Sequence, residues 1–140
     1  GLVPSLAGAR MDRAGILAGC VAHQGDSTAV RCRFGSPDAT RTLVLMGDSH
    51  AMMWVLPVVR TAEREGWRLV TLLKGGCSPV LGTKWVADCA SWRRAALAWL
   101  QEHPPELLVM AHSDDYRLVD RDGKPVPGPF NRTERKITLK

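Results

Sequence analysis

The sequence predicts an α/β fold built on a parallel sheet, and three observations carry that prediction. Short apolar runs at residues 42–46 (TLVLM), 67–73 (WRLVTLL) and 107–111 (LLVMA) have the length and composition of strands buried on both faces. The segments between them, 51–65 and 90–102, space their apolar residues at the helical period. The order is strand, helix, strand, helix, strand, which joins parallel strands through right-handed crossovers.

Taken in order, residues 1–19 read as a linker of small residues without sustained periodicity. Residues 20–41 read as loop around one short strand near 30–34. After the first apolar run, residues 51–65 begin apolar and end charged. Pro57 either kinks this helix or sits in the first turn of a second one, and Gly66 terminates it. Residues 74–82 (KGGCSPVLG) form a glycine-rich turn, and Pro104-Pro105 stops the helix over 90–102. Beyond Tyr116 the pattern decays, so 116–140 reads as irregular apart from a short strand at its end. Three parallel strands make a small sheet for this architecture, and the domain is expected to be incomplete at its C-terminus.

Bulk properties narrow the function. At 140 residues the chain holds one core. No stretch approaches the ~18–20 apolar residues that span a bilayer. The N-terminus is too broken by Gly, Pro and Arg for a signal peptide. The net charge of +5 comes from scattered residues, with one dense cluster at Arg132, Arg135, Lys136 and Lys140. Basic and aromatic residues do not interleave as base-stacking surfaces require, so nucleic acid is not expected as a partner. Cys20 and Cys32 are spaced like Cys77 and Cys89, without the short pairs of zinc or redox sites. Four cysteines allow three connectivities. Sequential pairing would close two short loops at about 3 kcal/mol each in an oxidising compartment, against the alternative of four buried thiols.

In a parallel sheet the ligand edge is the carboxyl ends of the strands. Here these ends are 47–49 (GDS), 74–76 (KGG) and 111–115 (AHSDD), all polar or glycine-rich. Ser49, between Asp48 and His50, is either a helix cap or a nucleophile at a sharp turn. His50, one residue along a helix, points away from it. His112 is at the right edge to act as a base. Asp114 and Asp115 are either paired carboxylates or solvated acids. His23 and His103 fall in surface segments without a role. Trp54, Trp85, Trp92 and Trp99 could line a sugar groove, although Trp92 and Trp99 have core spacing. No His, Cys or carboxylate set has ligand spacing, so no metal is expected. Gly75-Gly76 alone does not make a phosphate loop, so no cofactor is expected either.

The stretch MGDSHAMMW (46–54) resembles the first block of the SGNH hydrolase superfamily. Its GDSHA…W form belongs to the SGNH-like domains fused to acyltransferase-3 (AT3) membrane proteins, which O-acylate bacterial cell-envelope glycans and glycolipids. Supporting marks run across roughly residues 20–112. They are the paired cysteines with Cys32-Arg33-Phe34-Gly35, then Gly66-Trp67, Lys74-Gly75-Gly76-Cys77-Ser78-Pro79 and Cys89-Ala90-Ser91-Trp92. The resemblance implies a three-layer α/β/α, flavodoxin-like SGNH fold. Residues 1–19 are then a linker and 20–140 a partial domain, stapled by Cys20–Cys32 and Cys77–Cys89.

It further implies that Ser49 is the acyl-accepting nucleophile and that Asp48 supports the turn presenting it. The N–H of Gly76, or of Gly75, would join the Ser49 N–H in the oxyanion hole. The family's third donor, an asparagine after the third strand, has no counterpart in Ala111-His112-Ser113-Asp114-Asp115. The family's late Asp-x-x-His motif is also absent from the chain, which places the base downstream, with His112 the only in-chain substitute. The expected function is acyl transfer, acetyl first, to a hydroxyl of an envelope glycan or glycolipid. It would occur at the extracytoplasmic face of a bacterial membrane, beside an integral-membrane acyltransferase-3 domain of the same polypeptide. The alternative is a non-catalytic module that binds glycan or positions the membrane domain. A nucleotide-binding α/β domain is a third reading, without a phosphate loop to support it.

Overall fold

The computed structural model describes residues 15–84, 88–114, 116–122 and 124–126. The rest of the linker, Trp85, Asp115 and the basic tail lie outside the described residues. After a 3-10 turn at Gly15–Leu17, the elements are β1 (Val21–Ala22), β2 (Arg31–Gly35), β3 (Thr42–Gly47), α1 (Ser49–Met53), α2 (Val55–Arg64), β4 (Arg68–Lys74), β5 (Thr83–Lys84), α3 (Cys89–Glu102), β6 (Leu107–Ala111) and β7 (Arg117–Leu118). Among the described residues, no helix is long and apolar enough to cross a membrane.

β3 is the centre of the sheet. It pairs in parallel with β4 on one side and with β6 on the other. Its residues Val44, Leu45 and Met46 are fully buried, because successive side chains serve opposite faces. Leu43 and Leu45 join Leu69 and Leu73 of β4 against Ala51, Val55, Val59 and Ala62 of α1 and α2. Val44 and Met46 join Val70 and Leu72 against Trp92, Ala96 and Leu100 of α3. The chain therefore crosses from β3 to β4 on one face and from β4 to β6 on the other. The result is an α/β/α layering with the strand order reversing at β3. A crevice opens at the carboxyl end of such a switch-point strand.

The sheet is mostly parallel rather than wholly so. β2 runs antiparallel along β4, with Cys32 opposite Thr71, while β1 adds a two-residue parallel pairing. The cause is the short link over residues 36–41, which reverses the chain but cannot carry it back along a strand, as a parallel neighbour would need. Part of 116–140 is also ordered: β7 pairs antiparallel with β5, and the Val119 N–H donates to the Gly82 carbonyl at 2.6 Å. Among the described residues β6 is an edge strand, with Leu107, Leu108 and Met110 exposed.

Local signals set the helix limits. Trp54 separates α1 from α2, which places Pro57 in the first turn of α2, where its missing N–H costs nothing. Gly66, at φ 67°, ends α2. Its N–H donates to the Glu63 carbonyl and that of Trp67 to the Ala62 carbonyl, the paired bonds of a Schellman stop. The disulfides pair sequentially. Cys20–Cys32 ties the turn before β1 to β2, and Cys77–Cys89 ties the turn after β4 to the start of α3.

Gly47 closes β3 where only hydrogen fits. A Cβ there would lie 1.9 Å from the Ala111 carbonyl oxygen and 2.8 Å from the Ala51 Cβ. Gly47→Ala is therefore expected to destabilise the fold by about 3 kcal/mol or more, since relief requires backbone movement. Urea unfolding measures it, and an unchanged midpoint would contradict this packing.

Candidate active site

The site begins where β3 runs out. Asp48, 1 % exposed, is the N-cap of α1. Its Oδ1 accepts from the His50 N–H at 2.8 Å, while Oδ2 accepts from the Ser113 N–H at 2.9 Å and the Tyr116 hydroxyl at 2.6 Å. A buried carboxylate needs such donors, and bonds to a charged acceptor are the strong ones. Because Asp48 does the capping, Ser49 is the first helical residue and its hydroxyl is not needed to cap α1. Ser49 is exposed at this edge, directly after the switch-point strand.

Two histidines flank it. His50 is half exposed and turns its Nδ1 toward Asp48 Oδ1 at 3.6 Å. His112 follows β6, whose register sets Ala111 beside Gly47 and so brings the two strand ends together. Its Nδ1 lies 2.7 Å from the Ser113 carbonyl oxygen, and its ring is tilted against that of Tyr116 at 5.9 Å. A carbonyl only accepts, so Nδ1 is the donor in that contact. Among the described residues no hydrogen bond joins either histidine to Ser49. Asp114 is exposed on the following turn.

The opposite wall is the turn after β4. Lys74, 1 % exposed, donates from Nζ to the carbonyls of His23 (2.9 Å) and Asp26 and to Asp88 Oδ2 (2.7 Å). Asp88 also accepts from the Gly25 N–H. The Lys74 bond first, and then the Gly25 bond, hold the Asp88 carboxyl below its ordinary value. With the adjacent Cys77–Cys89 bridge, these contacts fasten the turn that carries Gly75 and Gly76. Gly76 has φ 71°, a backbone state glycine adopts freely, and the Cys77 N–H closes the turn onto the Lys74 carbonyl at 3.2 Å. A Cβ on Gly75 would touch the Met52 Cε at 4.0 Å, so this turn abuts α1.

A family model for the SGNH domain that is fused to AT3 domains matches residues 19–136. The chain belongs to this family. No curated protein and no solved structure matches.

Within this SGNH domain, the structure adds three residues that sequence reasoning did not single out. Tyr116, the chain's one tyrosine, bonds Asp48 across 68 positions. Lys74 stood in the sequence at the polar end of an apolar run and in the Lys74-Gly75-Gly76 mark, without a role of its own. Arg93 of α3 is buried and donates from Nε to the Ser78 carbonyl at 3.0 Å. Burial lowers its pKa, and the nearby Tyr116 phenol acts in the opposite sense. Of the tryptophans, Trp92 is core, Trp99 packs on the α3-side core, and Trp54 is exposed beside α1. Cys77, Asp88 and Cys89 bring potential metal-ligand atoms within 4.8 Å of one another, but both sulfurs are in the disulfide and Asp88 is paired with Lys74.

Tyr116→Phe, which removes a hydrogen bond to a buried charge, is expected to cost about 1.5–3 kcal/mol. Asp48→Asn costs more, because its amide must face at least one fixed backbone N–H; urea unfolding of the two variants tests the order. Asp88 makes the acid limb of stability predictable. Its folded pKa lies below the ordinary 3.8, so its contribution is complete above that value and is lost as pH falls through the lower, folded one. Asp88→Asn is therefore expected to be less stable at neutral pH yet to lose stability less steeply in acid. Unfolding midpoints measured from about pH 7 down to pH 2 check both halves.

Proposed function

We propose that this SGNH domain accepts an acetyl group on Ser49 Oγ and passes it to a hydroxyl of a cell-envelope glycan or glycolipid. One observation carries the reading. Asp48 takes over the cap, so the Ser49 hydroxyl stands exposed at the carboxyl end of the switch-point strand. In the proposed step Ser49 Oγ loses its proton to a base and attacks the acyl carbonyl, and the Ser49 and Gly76 N–H groups receive the developing oxyanion. Donors of that kind contribute several kcal/mol to acyl transfer. Collapse of the oxyanion breaks the bond to the acyl donor's carrier group, which leaves with a proton. The acceptor hydroxyl then attacks the Ser49 ester and restores the serine. Tyr116 and the Ser113 N–H act through Asp48 and hold the turn in place.

A serine without a base is a poor nucleophile. No Asp-x-x-His occurs in these 140 residues, and we assign the base to a segment outside them. The family's fusion to AT3 domains supports a membrane acyltransferase domain on the same polypeptide as the acyl source. The two disulfides support an oxidising, extracytoplasmic setting, and the net charge of +5 suits an anionic envelope surface.

Intact mass after exposure to 4-nitrophenyl acetate tests this, on residues 1–140 and on a chain extended downstream, each beside Ser49→Ala. The expected result is a Ser49-dependent acetyl adduct on the extended chain and little on the shorter one. An equal adduct on the shorter chain would move the base inside it, with His112 the first residue to substitute. Absence of any Ser49-dependent adduct would overturn the reading in favour of a glycan-binding or positioning module.

A further inference from the structure

At the opposite end of the strands from Ser49, a cavity of about 560 Å³ opens on the α3 side of the sheet. Thr42 and Arg68, the register-paired first residues of β3 and β4, line it. The site edge lies five residues further along β3, roughly 16 Å away at about 3.3 Å per residue. The cavity is therefore separate from the Ser49 edge.

Its lining is charged in one sense. Arg33 comes from β2, Arg68 from β4 and His103 from the end of α3, and no Asp or Glu lines it among the described residues. The imidazole of His103 stacks on Trp99 at 4.8 Å with the rings 10° apart, and the Arg31 guanidinium lies 5.9 Å from the same indole. Arg68 is held in place by donating to the Ala39 carbonyl at 2.9 Å and more weakly to that of Pro37, contacts that orient its charge without cancelling it. Glu106 lies beside Thr42 and Arg41 but is not part of the lining. It accepts the Thr42 N–H at 2.6 Å, and both that bond and the nearby Arg41 lower its pKa.

Two strands thus bring guanidinium groups to one concavity whose lining holds no carboxylate, an arrangement whose self-repulsion an anion would relieve, and the His103 imidazole adds a polar group from a third element. Guanidinium groups bind phosphate or carboxylate through forked hydrogen bonds. A bare anion would leave most of the volume empty, whereas about 560 Å³ falls within the ordinary range for a small-molecule site. We propose that this cavity binds a small polar molecule of sugar size carrying a phosphate or carboxylate. The anionic group lies between Arg33 and Arg68, and the remainder extends toward Ser36 and His103. The proposal does not depend on Ser49 being a nucleophile.

Titration calorimetry on this chain tests it with glucose 1-phosphate and glucuronate as probes, beside glucose and inorganic phosphate. At least one of the two acids is expected to bind, glucose is not, and raised salt weakens binding. Arg33 is exposed on β2, so Arg33→Gln should stay folded by thermal unfolding while losing affinity by roughly tenfold, the loss of one charge-assisted bond. His103→Gln probes a second wall independently, and Ser49→Ala should bind unchanged. Silence from both acids overturns the proposal, as does undiminished binding in folded Arg33→Gln. Inorganic phosphate binding as tightly as glucose 1-phosphate overturns the sugar-sized ligand, and loss of binding in Ser49→Ala would relocate the site to the catalytic edge.

Discussion

The Asp48 carboxylate is the constraint on which the candidate site depends. Apolar packing holds β3 between two helix layers but does not determine how the chain leaves the strand, because dispersion and area burial are nearly indifferent to a rotation at its end. Asp48 removes that freedom with three donors from three places: the next residue's neighbour, the turn after β6 and the ring of Tyr116. Gly47 makes it geometrically possible by letting the Ala111 carbonyl approach where a Cβ would sit. Ser49 faces out because its neighbour faces in.

A second anchor does for the turn after β4 what Asp48 does for the turn after β3. Burying the Lys74 ammonium is costly unless every proton finds an acceptor, and two carbonyls with the Asp88 carboxylate supply them. The ion pair therefore fixes the 23–26 turn, the glycine turn and the start of α3 against one another, with the Cys77–Cys89 bridge as a covalent duplicate of the last link. Both anchors are polar groups inserted at strand ends rather than mid-strand. There the apolar layers thin out and directionality has to come from hydrogen bonds.

This division explains what was legible in the sequence. Strand and helix identities followed from periodicity, and Pro57 and Gly66 acted within a few residues, as local backbone signals do. The strand ends could be identified as the site edge because topology alone puts them there. The direction of β2 was not legible, since a five-residue strand carries no sign of its partner. Nor was the division of labour at Asp48-Ser49: both residue types cap helices, and the choice was made by Tyr116 and Ser113, far along the chain. Lys74–Asp88 was hidden for the same reason. Each is an ordinary residue until the fold supplies its partner.

The two ends of the sheet also differ electrostatically. At the carboxyl edge the charged side chains of Asp48 and Lys74 are buried and held by their own partners. At the other edge α3 ends, and its carbonyls bias the surroundings negative. His103, the C-cap whose Nδ1 lies 3.1 Å from the Trp99 carbonyl, is accounted for by that helix end alone. Arg33 is not, because it stands on a strand of the opposite wall. Nor is Arg68, whose carbonyl partners on the 36–39 turn belong to no helix. The helix terminus therefore explains His103 and leaves two guanidinium groups in a lining that holds no carboxylate, and this excess is what makes an anionic occupant of the cavity the physically favoured completion.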